Sequence, residues 1–93
     1  MSQVSFKTQY MGFAVEIVAG WDEPLQYYHL TVFDNRADAE EEYIFSCLDT
    51  PNPFAAKTTE RWKAKLIEMN IKIPDGFWER VEKKEADDIY SFK

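Results

Sequence analysis

Cysteine occurs once, at Cys47, so the chain can form no disulfide within itself. Small secreted domains usually depend on several such bridges, and a lone thiol fits a reducing compartment instead. Histidine also occurs once, at His29, with no cysteine or second histidine at ligand spacing, which leaves no metal motif. The three glycines are too scattered to build a phosphate-cradling loop. With four prolines besides, most of the chain is free for regular elements. No apolar run approaches the roughly 20 residues that a membrane helix requires. Met1-Ser2-Gln3 leads straight into a strand-like pattern with no charged-then-apolar leader. The expected location is cytoplasmic, with no membrane contact.

Basic residues are scarce in the first half. Residues 1–56 hold two of them, Lys7 and Arg36, against nine acidic ones, a net charge of −7. Residues 57–93 hold nine basic against eight acidic residues, a net of +1, and the two halves sum to the overall −6. Direct binding to nucleic-acid phosphates is not expected, because that affinity comes mainly from Lys and Arg displacing counterions. A basic protein surface is the natural complement.

What the chain does have is apolar and aromatic residues, 45% and 16% of its 93 positions. That is enough for one core, so residues 1–93 read as a single domain. Residues 4–10 alternate Val4, Phe6, Thr8 and Tyr10 against Ser5, Lys7 and Gln9, and residues 13–19 alternate again. Only Met11 and Gly12 separate them, which predicts a two-residue hairpin whose paired positions sum to 23. Phe6 then faces Ile17 on the buried side, and Lys7 faces Glu16 on the other.

Residues 20–24 (GWDEP) read as a loop, Leu25–Phe33 as a third, central strand, and Tyr43–Leu48 as a fourth. After Thr50-Pro51-Asn52-Pro53 the period changes. Thr58 or Thr59 can cap a helix to about Met69, with Asn70 in a left-handed conformation behind it. Asp75 can cap a second helix carrying Phe77, Trp78 and Val81, and Ile89–Phe92 suggests a short edge strand. The expected fold is α+β: an antiparallel meander of about four strands, with two helices packed on one face.

Nothing in the pattern calls for a cofactor, a metal or a catalytic group. A nucleophilic cysteine needs a nearby cation or helix N-terminus, and the surroundings of Cys47 supply neither. The functional expectation is a small non-catalytic interaction module, of the inhibitor, immunity or adaptor kind, that binds a basic protein. Its candidate surface is the acidic segment, with Asp34, Asp38, Glu40, Glu41 and Glu42, beside Trp21 and Asp22 in the loop and Tyr27 and His29 on the third strand. Two alternatives are a nucleic-acid mimic that blocks a DNA- or RNA-binding protein, and a small enzyme or ligand-binding domain built around His29.

Overall fold

The hairpin forms because residues 11 and 12 can both turn left-handed. Met11 and Gly12 have φ of 51° and 86°, the pattern of the primed turn whose twist matches paired strands. In the computed structural model, which describes residues 2–35, 42–85 and 88–92, this turn joins β1 (Gln3–Tyr10) to β2 (Phe13–Asp22). All seven recorded pairs sum to 23, from Val4 with Ala19 to Tyr10 with Phe13, so the expected register holds. β3 (Tyr27–Asp34) and β4 (Tyr43–Ser46) continue the antiparallel meander. The closing strand β5 (Ile89–Phe92) pairs in parallel with β1 at the sheet's edge, giving the order β4-β3-β2-β1-β5.

Three boundaries differ from expectation. Residues 20–22 are not loop: β2 runs to Asp22, and the reversal falls on residues 23–26, where Gln26 has φ of 53°, so the third strand begins at Tyr27 instead of Leu25 and runs to Asp34. The strand period simply continues, with Trp21 in phase with Val15, Ile17 and Ala19. The fourth strand is also shorter, because Ser46 caps a 3-10 turn over Cys47–Asp49 by accepting the Leu48 N–H.

Helix α1 (Glu60–Glu68) and helix α2 (Phe77–Glu82) follow. Thr59 is the residue before α1, yet its hydroxyl does not cap; it donates to Glu82 Oε2 at 2.5 Å and ties α1 to the end of α2. Asn70 does take φ of 59°, and the Asn70 and Ile71 N–H groups donate back to the Ile67 and Leu66 carbonyls, closing the helix. For α2 the residue in the capping position is Gly76, with φ of 85°, rather than Asp75.

The core follows the strand alternation. One cross-strand row runs Phe92, Phe6, Ile17, Val32, Phe45. The Phe77 ring of α2 meets Phe6 edge-on at 4.8 Å and Phe92 at 6.0 Å, while the Trp62 ring of α1 meets Phe45 at 6.2 Å. Trp62 Nε1 also donates to the Tyr28 carbonyl at 2.8 Å, so the largest buried side chain is satisfied as well as packed. Arg80 anchors β5 by a two-pronged pair with Asp88 at 3.0 and 3.1 Å and by lying 3.8 Å over the Tyr90 ring.

Candidate functional site

The residues between the core positions make the other face of the sheet. They too form rows across β1 to β4, with a register shift between Val32 and Phe33 where β3 meets β4. One runs Ser91, Ser5, Val18, Thr31, Ser46, and the next runs Lys7, Glu16, Phe33, Tyr43. Val18, Thr31, Phe33 and Glu16 are half-buried, whereas Ile89 beside Gln3 is 78% exposed. Two shallow depressions of about 400 and 410 Å³ meet at Glu16 and Phe33. One extends over Val18 toward Ile89 and the other reaches Asp34 and Asn35. A smaller one, about 160 Å³, runs from Val18 and Phe33 to His29, Tyr27 and Cys47.

At that last end Asp22, Tyr27 and His29 come together, since Asp22 pairs with Tyr27 and Gly20 with His29. His29 is 9% exposed, and its Nε2 lies 3.1 Å from the Ser2 carbonyl oxygen. A carbonyl can only accept, so Nε2 carries the proton and Nδ1 is the free lone pair of the neutral ring. Burial pushes the His29 pKa below its ordinary value, outweighing the Ser2 carbonyl and Asp22, which favour the charged form. Tyr27 is pushed upward, first by burial and then by its neighbours Cys47 and Asp22. Asp22 Oδ1 accepts the Leu25 N–H at 3.2 Å and so shapes the turn after β2.

Trp21 goes to the opposite face. It is 7% exposed, with its ring 4.8 Å from that of Tyr28 and the Lys84 ammonium 4.1 Å above it. Its Nε1 donates to Glu23 Oε2 at 2.5 Å. The fold therefore uses this tryptophan to close the end of the core and does not present it as an exposed side chain. Asp34 is buried at the end of β3, with its N–H donating to the Glu42 carbonyl at 2.9 Å, and Glu42 is exposed. Asp38, Glu40 and Glu41 lie outside the described residues.

Chemically the face offers hydroxyls, the carboxylates of Glu16 and Asp22, the His29 imidazole and a semi-apolar floor. Among the described residues no group of three or more His, Cys, Asp or Glu side chains could hold a metal ion. Among the same residues no helix is long and apolar enough to cross a membrane. The sequence alone did not single out Glu16, Val18 and Phe33 as candidate site residues. The signal was present in the hairpin register, which already set Glu16 opposite Lys7; what was missing was the pairing of β2 with β3. No protein-family model matches this chain, and neither does any curated protein or any solved structure.

Proposed function

We propose that the chain is a small interaction module that offers the Glu16–Val18–Phe33 face of its sheet to a basic protein. Asp34, the first residue of the acidic 34–42 segment, lines one depression of this face, and both helices lie against the other side. The observation that carries the reading is the half-buried Glu16 and Phe33 at the meeting point of two broad, shallow depressions. Depressions that shallow suit a protein surface better than an enclosed small molecule. The placement of both helices on the far side is supported by their ring contacts. Trp62 and Phe77 touch Phe45, Phe6 and Phe92, all members of one core row, while Val18 and Thr31 on the alternate row stay partly exposed. The charge of the partner follows from the net −7 of residues 1–56. Cys47, free and buried, is compatible with work in the cytoplasm.

The test is capture on the immobilised chain followed by association kinetics. A partner that docks here loses affinity as ionic strength passes roughly 0.1–0.15 M, where the screening length is about 8–10 Å. Changing Glu40, Glu41 and Glu42 together to Gln slows association, and Val18→Lys abolishes it, without lowering the unfolding midpoint. A captured protein whose association is indifferent to salt and to both variants refutes the reading.

A further inference from the structure

Glu16 stands in β2 with Lys7 as its partner in β1 and Phe33 as its partner in β3, and Tyr43 continues the row in β4. Lys7 is exposed and Glu16 half-buried. The ion pairs among the described residues join Lys63 to Glu60 and Glu82, Lys65 to Glu68, and Arg80 to Asp88; none uses Glu16. Glu16 is thus a half-buried acidic residue that gains no ion pair among the described residues. Beside it lies the half-buried ring of Phe33, and the same two residues line both depressions.

Of the two basic side chains, only one matches both features. A guanidinium is planar, weakly hydrated, stacks on aromatic rings and meets a carboxylate through two parallel hydrogen bonds. A lysine ammonium is a strongly hydrated point charge and gains little from an aromatic neighbour at a wet site. We infer that this row receives an arginine side chain of the basic partner, its guanidinium on Phe33 and paired with Glu16, its methylene stem along Val18. Lys7, at the other end of the row, repels a cation approaching from β1, so the arginine enters from the β3 side. The inference rests on the proposed docking of a basic protein to this face and adds which residue of that protein is read.

The experiment is a titration of the full chain with N-acetyl-arginine amide, followed by amide chemical shifts, with N-acetyl-lysine amide in parallel. Saturable shifts at residues 16, 18 and 33 are expected in the millimolar range, the strength of a single-residue contact. The lysine probe is weaker by about three-fold or more. Glu16→Gln, with an otherwise unchanged spectrum, removes the arginine response, and Phe33→Leu reduces it toward that of lysine. Equal responses to the two probes, no saturable shift on this face, or a response that survives Glu16→Gln overturns the inference. If a captured partner still depends on Val18 while the arginine titration is flat, the docking reading stands and the arginine reading falls. If the arginine response holds but no partner senses Val18→Lys, the docking reading falls and the inference falls with it, leaving only a weak site for free arginine.

Discussion

Replacing Gly20 with alanine should be one of the most damaging small changes in the sheet. A Cβ there would lie 2.0 Å from the Ser2 carbonyl oxygen, 2.7 Å from its carbon and 2.8 Å from His29 Nε2. Inside a strand, alanine is ordinarily better than glycine by about 0.5–1 kcal/mol. At this position the obstacle is backbone, so Ser2 must lift away from β2. Three hydrogen bonds hold it: its N–H to the Trp21 carbonyl at 3.0 Å, its Oγ to the Trp21 N–H at 2.9 Å, and its carbonyl to His29 Nε2 at 3.1 Å. At about 1 kcal/mol each they sum to about 3 kcal/mol, which the usual alanine gain offsets in small part. The expected loss is about 2–3 kcal/mol, or roughly 8–24 °C in melting temperature for a domain of this size. Urea unfolding followed by tryptophan fluorescence measures it. A variant as stable as the parent refutes the argument. Removing Met1 and Ser2 provides the control, because Gly20→Ala should then cost less than about 1 kcal/mol.

Other outcomes follow from the same coordinates. Phe6→Ala should cost about 3–5 kcal/mol in denaturant unfolding, since Phe6 is buried against Phe77. Lys7→Ala, on the exposed side of the same strand, should cost under about 1 kcal/mol; equal losses would contradict the assignment of faces. Trp62→Phe should cost about 1–3 kcal/mol by orphaning the Tyr28 carbonyl, and a neutral result would show that water replaces the indole N–H. Below pH of about 6.5 the unfolded chain protonates His29 while the folded chain resists. Stability should therefore rise with pH through the window below 6.5 and fall on acidification, and His29→Gln should flatten that slope in unfolding measured from pH 7 downward. Met11→Asn should raise the melting temperature, because Met11 is exposed at φ of 51° and Asn tolerates that conformation better; a lower melting temperature would show that the Met11 side chain does more than turn.

The hairpin was legible because two alternations flanked a gap of two residues, and one register sets Val4, Phe6 and Thr8 opposite Ala19, Ile17 and Val15 on the core side. The extension of β2 was not. Gly20, Asp22 and Pro24 carry turn chemistry, and that hid the continued period through Ala19 and Trp21. Gly20 is small for a different reason, the passage of Ser2 over it, which local reading cannot supply. Thr59 looked like a cap because its residue type favours one; its hydroxyl is taken instead by Glu82, a partner 23 residues away. The Glu16–Phe33 row was half legible: the β1–β2 register placed Glu16, but the register of β2 with β3 depends on where the second turn begins, and that was displaced by the misread loop.

The parallel pairing of β5 with β1 has a consequence for synthesis. Forty-two residues separate Ser46, the end of β4, from Ile89, the start of β5. At roughly 5–20 residues per second, the meander can form on the order of 2–8 s before its last strand exists. For that interval the outer edge of β1, from Gln3 to Phe6, has no neighbour to pair with. An open edge is a template for any extended chain nearby. The Arg80–Asp88 pair and the Phe77–Phe92 contact therefore determine how quickly a newborn chain stops being adhesive.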